Sequence, residues 1–272
     1  MNKLTYSSVS KHAVLATLGI LTFIPFIMLL LISFKDAQQF ASHRWTLTFP
    51  LHLENYTEAW HQIRRFILNS FIISGVTVVG VIIVSCLAAY ALARMRFFLK
   101  EQIYFLIISL LMIPSVLTLV PLFGIVIKLH ILNNWLGLWG PYIAGGQVFC
   151  IFVLRSFFAS LSEEMFEAAR MDGAGEAKVL FSIVVPLSKP IIGTLAMLNI
   201  LSTWNEYVWP IMVMNSIELQ PIPVGLLYFT QKQTDYGSLF AGYAIASVPL
   251  VLLFALASKQ FVEGLSSGSV KM

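Results

Sequence analysis

Long apolar stretches alternate with shorter polar ones along the 272-residue chain, at 13–34, 67–92, 103–127, 141–158, 190–214 and 239–257. Crossing about 30 Å of hydrocarbon takes roughly 20 helical residues at about 1.5 Å each. Each stretch reaches or approaches that length. Barrel strands are about 9–11 residues long and alternate in polarity, so continuous runs of this kind predict an all-α integral membrane protein with six transmembrane helices. The fourth stretch is the shortest, carries Gly145 and Gly146, and ends near Arg155. Pro25, Pro114, Pro121, Pro210 and Pro249 fall inside stretches, where membrane helices tolerate proline better than soluble ones. No internal repeat or low-complexity tract interrupts the pattern, and a single transmembrane domain over residues 1–272 is expected.

Composition agrees with a bilayer. Hydrophobic residues make up 58% of the chain and charged residues 11%, against about 25% charged in ordinary soluble domains. The first apolar run follows Lys3 and Lys11 and spans 22 residues. It exceeds the roughly 7–15 residues of a signal-peptide core and no small-residue cleavage site follows, so it reads as an uncleaved span. With six spans both ends share a side. Placing that side in the cytoplasm puts eleven Lys and Arg inside, including Arg94, Arg96, Lys100, Arg155, Arg170 and Lys178, and six outside. The positive-inside rule therefore favours cytoplasmic termini. Net charge is +4 with no basic run, which excludes a nucleic-acid footprint. Cys86 and Cys150 lie in apolar runs without Cys or His at ligand spacing, so no disulfide framework or metal site is expected. The five histidines (His12, His43, His52, His61, His130) fall in expected loops or tails, which argues against a membrane-embedded enzyme.

The longest polar interruption, residues 159–189, contains EAARMDGAGEAKVLFSIVVP. It reads as two short helices. Ser160 with Glu163 has capping-box spacing, and Ser162 ahead of Glu163 and Glu164 is a second possible start. Gly173 suits the left-handed residue that ends a helix. A second helix is expected from Gly175 to about Val184, punctuated by Pro186 and Pro190. Such a hairpin is either an amphipathic element on the membrane surface or a docking element whose Ala168–Ala169 pair admits a close partner.

E-A-A, three residues, glycine, nine residues, then I-x-x-P, here Glu167, Ala168, Ala169, Gly173, Ile183 and Pro186, resembles the cytoplasmic loop of permease subunits of bacterial ABC importers. Val185 stands where leucine is usual. EAARMDGA, WNEYVWP and the ending FVEGLSSGSVKM are similar to the carbohydrate-uptake branch, near its maltose-type and glycerol-3-phosphate-type members. The resemblance implies a type I importer permease fold in the bacterial inner membrane, with the loop between helices four and five acting as the coupling helix. It further implies a second permease subunit, two copies of an ABC ATPase that bind ATP and Mg, an extracytoplasmic solute-binding protein and a sugar substrate. Glu167, Ala168, Ala169, Asp172, Gly173, Ile183 and Pro186 would then carry the ATPase coupling. The chain itself would bind no cofactor and hydrolyse nothing, and it has no G-x-x-x-x-G-K-[ST] motif.

Glu206 is the one acidic residue well inside an expected span, and intramembrane carboxylates usually face a polar cavity or a partner. With Asn199, Trp204, Asn205 and Tyr207 it makes a polar and aromatic patch suited to a sugar pathway, a gate or interhelical support. Asn69 with Ser70, and Tyr243, are further pathway candidates. Arg155 is expected to snorkel to the interface. Phe40, Trp45 and Trp60 in the long first loop (35–65) suit either binding-protein docking or interfacial anchoring, and the loop 215–238 is a second expected docking surface. The rival reading is an ion-coupled secondary transporter of small polar solutes, for which Glu206 alone supplies a coupling group and no paired repeat is visible.

Overall fold

The computed structural model describes residues 6–269, with side chains over 11–255. The C-terminal tail from Phe261, together with Lys3, Lys259 and Lys271, lies outside the residues whose side chains are described. Among the described residues four helices are long and apolar enough to cross a membrane, and up to six crossings result when two sharply bent helix pairs each count as one. The chain divides into two compact units: one formed by the chain up to Arg65 with Gly225–Pro249, the other by Phe66–Val224 with the chain from Leu250 on.

In the first unit, α1 (Tyr6–Ser33) is apolar all round and exposes Leu15, Ile20 and Phe23, as a lipid-facing helix does. The long first loop is not open chain. Asp36 caps α2 (Ala37–Ser42) in a reciprocal capping box with Gln39, and His52 lies 3.3 Å from Asp36 and 2.5 Å from Glu54. Lys35 is 1% exposed; its ammonium donates to the carbonyls of His43 and Thr46, and burial pushes its pKa below the ordinary lysine value. The next helix, α3 (Glu54–Arg94), begins in this unit, about three and a half turns before the expected second span, and belongs to the second unit from Phe66 on. At about 1.5 Å per residue its 41 residues reach roughly 60 Å, so His61, Arg64 and Arg65 lie on a helix rather than in a loop. His12 likewise lies in α1. Phe40 stacks on Tyr236 at 4.4 Å, whereas Trp45 and Trp60 stay exposed.

In the second unit, α4 (Lys100–Ser109) continues through a 3-10 turn at Leu110–Met112 and meets α5 (Ser115–Lys128) at a bend of 104°. Pro114 causes the break. It lacks an amide proton and forces Ile113 into extended backbone, φ −85° and ψ 117°. Then α6 (Leu136–Ser160) forms a full-length helix, longer than its short apolar stretch suggested. The polar hairpin follows as α7 (Glu163–Met171) and α8 (Glu176–Val179), the latter continuing through a π turn at Leu180–Val184 into α9 (Val185–Leu187). A bend of 79° leads into α10 (Lys189–Asn205).

The expected fifth span, 190–214, is interrupted. Glu206 is extended (ψ 124°) and a separate short helix, α11 (Val208–Val213), follows. The expected outer loop 215–238 is largely helical too, as a 3-10 turn at Ile217–Leu219 and α12 (Ile222–Lys232). The last helix is α13 (Tyr236–Ser269), whose residues up to Pro249 belong, with α12 from Gly225, to the first unit. Among the described residues, two hydrophobic cores organise the second unit. One gathers Ile73, Val126, Leu138, Trp209, Val213 and Met214; the other lies beneath the hairpin.

Candidate functional site: the polar hairpin and its anchorage

The hairpin is amphipathic. Its inner side buries Phe166 and Ala169 of α7 with Val179, Leu180 and Val184, against Tyr90 of α3, Leu154 and Phe158 of α6, and Leu195 of α10. At roughly 1.5–3 kcal/mol per fully buried large side chain, this contact holds the hairpin to three long helices. Its outer side presents Glu167, Ala168, Asp172 and Gly173, with Met171 88% exposed. Alternation of the two sides follows the helical period.

The turn is specified locally. Gly173 has φ +74°, and its amide donates to the Arg170 carbonyl while the Ala174 amide donates to that of Ala169, both at 3.0 Å. These are the paired bonds of a Schellman ending. No side chain occupies space within 4 Å of a Cβ built there, so glycine is required by backbone conformation and not by crowding. At the other end the expected capping box does not form. Ser160 Oγ donates back to the Phe157 carbonyl and Ser162 caps without a side-chain bond. Glu163 is taken by a stronger partner, Arg94 at 2.6 Å.

Arg94 is the central clamp. Its guanidinium donates to the carbonyls of Phe158 (2.7 Å) and Leu161 (2.5 Å), where α6 ends, and lies 4.1 Å over the Phe166 ring. One planar fork therefore joins the end of α3, the end of α6 and the start of α7. Tyr90, one turn earlier, donates to the Glu176 carboxylate and so ties α3 to the second half of the hairpin. Arg155 donates from its Nη2 to both Glu101 carboxylate oxygens, at 2.9 and 3.0 Å, and its guanidinium lies 3.8 Å over the Tyr104 ring.

Among the seven residues expected to couple, Glu167, Ala168, Asp172, Gly173 and Pro186 are exposed, Ile183 is half-buried, and Ala169 is buried in the core. Ala169 therefore packs the hairpin inward. Its small size lets α7 lie close to the helices beneath. Arg94, Tyr90 and Glu176 were missed by sequence reasoning, which counted Arg94 only for topology. The available signal was Tyr90 and Arg94 at i, i+4, which places both on one helix face.

The expected pathway residues have separate partners. Asn69 donates to the carbonyls of Glu218 (2.8 Å) and Gln220 (2.9 Å), and Ser70 Oγ accepts from the Ile222 amide. Asn199 donates to the Leu195 carbonyl and to Cys150 Sγ, and Asn205 to the Leu201 carbonyl. Trp204 is buried edge-on against Phe71, and Tyr207 is exposed. In the first unit, Tyr243 shares a hydrogen bond with Thr230 at 2.8 Å. Glu206 sits at the α10–α11 break, and its Oε1 accepts from the amides of Val208 (2.9 Å) and Trp209 (3.3 Å). A carboxylate at the end of an apolar helix is thereby satisfied by the free amides of the next helix start. We expect Glu206→Ala to destabilise α11 by about 1 kcal/mol, as loss of a cap does, whereas Glu206→Gln keeps an acceptor. Parallel thermal melts and uptake assays check this; equal melting of the Ala variant and the parent would remove the capping role.

Residues 81–266 match the family described as binding-protein-dependent transport system inner membrane component. The chain is 38% identical over 251 residues (91% of it, 83% of the relative) to a "probable ABC transporter permease protein" of Bacillus subtilis (strain 168). It is 34% identical over 253 residues (92% and 91%) to the melibiose/raffinose/stachyose import permease protein of that organism. It is also 30% identical over 266 residues (96% and 88%) to the diacetylchitobiose uptake system permease protein of Streptomyces coelicolor. A crystal structure of a bacterial ABC transporter involved in alginate import shares the fold, with a TM-score of 0.83 at 21% identity over 96% of this chain and 100% of that one.

Proposed function

This chain belongs to the family of binding-protein-dependent transport system inner membrane components, and from that premise we infer that it is the permease of an ATP-driven importer, forming half of the pathway for a sugar or related polyol or glycerophosphate. Relatives named for oligosaccharide, maltose-type and glycerol-3-phosphate uptake support that substrate class. The chain acts as one permease domain in the bacterial inner membrane with both termini in the cytoplasm. It pairs with a second permease, two ABC ATPases that hold ATP and Mg, and an extracytoplasmic binding protein. Hydrolysis belongs to the ATPases and transport to the permeases.

The observation that carries the coupling reading is a hairpin locked to α3, α6 and α10 whose outer side, at Glu167, Ala168, Asp172 and Gly173, is exposed. Rigid attachment is what a lever requires. When nucleotide draws the ATPases together, force applied to α7 moves the clamped helices as a body, and the bundle changes which side it opens to. Ile183 and Pro186 shape the return into α10. Asn69, Asn199, Trp204, Asn205, Glu206, Tyr207 and Tyr243 support or line the pathway that this motion exposes.

Affinity purification from native membranes tests the assembly. An ATPase, a second permease and a sugar-binding protein are expected together with the tagged chain. Glu167→Lys should lower the recovered ATPase at least tenfold, since charge reversal across an interface is costly, while leaving membrane insertion unchanged. Recovery of the chain without any ATPase, coupled with proton-driven uptake, would favour a secondary transporter.

A further inference from the structure

Between the hairpin and the turn after α3 lies an open polar cavity of about 520 Å³, within the roughly 300–1,000 Å³ of small-ligand sites. Its charged lining is Arg94, Arg96, Lys100 and Arg170 against Glu163 and Glu176, a surplus of two cations. Arg94 is committed to its clamp. Arg170 is only loosely held, 3.6 Å from both Glu163 and Glu176. Lys100 uses two protons on the carbonyls of Ala93 and Met95, and the Arg96 side chain has no partner among the described residues.

Two features identify the ligand's source. The cavity lies just past the end of the apolar run of α3, lined by Ala93 to Arg96 and Lys100, and the ends of membrane-crossing helices meet the headgroup region. Between Arg96 and Lys100 the chain turns through Phe97, Phe98 and Leu99, all exposed, with Phe98 at 87%. Leu99 takes a left-handed φ of +62°, which leucine rarely adopts and which fixes this turn. Aromatic side chains flanked by cations are the composition of an interfacial membrane contact, and basic pockets at the ends of membrane helices take anionic headgroups.

We propose that this cavity binds the phosphate of an anionic phospholipid in the leaflet facing the hairpin, with Phe97 and Phe98 resting at the acyl boundary. The phosphate meets Arg96, Lys100 and Arg170. Because Arg170 also bridges Glu163 and Glu176, lipid charge reaches the hairpin directly. The inference rests on the chain being a membrane permease and not on its sugar or its ATPase, so a failed transport assay and a failed lipid test are distinguishable.

The test is native mass spectrometry of the full chain in neutral detergent, titrated with phosphatidylglycerol or with phosphatidylcholine of the same acyl chains. Phosphatidylglycerol is expected to bind at least tenfold more tightly. Arg96→Gln should weaken it about fivefold and the Arg96→Gln, Lys100→Gln pair about tenfold or more, in line with each cation's contribution near a charged surface. Lys128→Gln, on α5 and outside the cavity, should leave it unchanged. Matching circular dichroism and gel-filtration profiles establish that the variants fold; Arg96→Gln, which removes no contact, keeps the test decisive if the pair does not. Equal binding of the two lipids, or no effect of Arg96→Gln, would overturn the proposal. So would displacement by millimolar inorganic phosphate, which assigns the site to a free anion. Release of the lipid when the chain carries its ATPase would assign the cavity to a protein partner and equally overturn it.

Discussion

Replacing Arg94 with methionine is expected to lower uptake at least tenfold while the chain still inserts in the membrane. The side chain is 10% exposed and holds Glu163 together with the carbonyls of Phe158 and Leu161. Removing the fork takes the side-chain donor from the Leu161 carbonyl and leaves the Phe158 carbonyl only the Leu161 amide at 3.4 Å, while Glu163 keeps water and the more distant Arg170. At about 1–3 kcal/mol for a buried polar group left unsatisfied, the hairpin's attachment should weaken by about 1–3 kcal/mol. Methionine preserves the apolar stem over Phe166, so the loss reports the guanidinium. Lysine at the same position restores the charge and the pair with Glu163, but a point charge cannot span both carbonyls, and intermediate uptake is expected. Limited proteolysis of the hairpin, measured beside uptake in vesicles, separates detachment from misfolding. Parental cleavage and uptake in Arg94→Met would show that apolar packing alone carries the linkage.

The second large effect concerns the first unit. A Cβ added at Gly237 would lie 1.9 Å from the Lys35 carbonyl oxygen and 2.4 Å from Asn55 Nδ2. Neither can move cheaply. The first is backbone, and the second donates to the carbonyls of Ser33 (3.0 Å) and Lys35 (2.9 Å). The neighbouring Ser238 hydroxyl donates to Asn55 Oδ1 and Glu58, so the same shift strains the start of α13. Overpacking a tight site costs about 1–3 kcal/mol or more, and with several polar contacts displaced Gly237→Ala should fall at the upper end. Gly19→Ala, in α1 with nothing within 4 Å of its Cβ, is the control and should melt with the parent. Thermal unfolding of the purified chains decides. Coincident melting of Gly237→Ala and the parent would mean that the close approach is not maintained in solution.

Both residues show where sequence reading reaches its limit. Gly237 sits in a helix-start sequence, with Asp235 accepting from the Ser238 amide, but its tight constraint comes from Lys35, about 200 positions away along the chain. Arg94 resembles any interfacial cation until α6 supplies the carbonyls. Asn69 and Glu206 were read as pathway polar groups because polar residues in apolar runs ask for a partner. Asn69 finds it 149 residues away, in the carbonyl of Glu218. Glu206 finds it two residues on, in an amide freed by a helix break that mean hydropathy does not reveal.

By itself the sequence determined what local chemistry determines. Long apolar runs with few charges specify membrane-crossing helices, since unpaired backbone is untenable in hydrocarbon. A glycine after an amphipathic segment specifies where α7 stops, and the E-A-A pattern marks the hairpin. Only the tertiary structure decided which side of that hairpin is buried, that Ala169 packs inward beside exposed Ala168, that the run 103–127 is bent at Pro114, that the run 190–214 is entered by a sharp bend and severed at Glu206, and that Arg94 joins three helix ends. These depend on groups far apart in the chain meeting at hydrogen-bond distance, and periodicity along one segment carries no record of its neighbours.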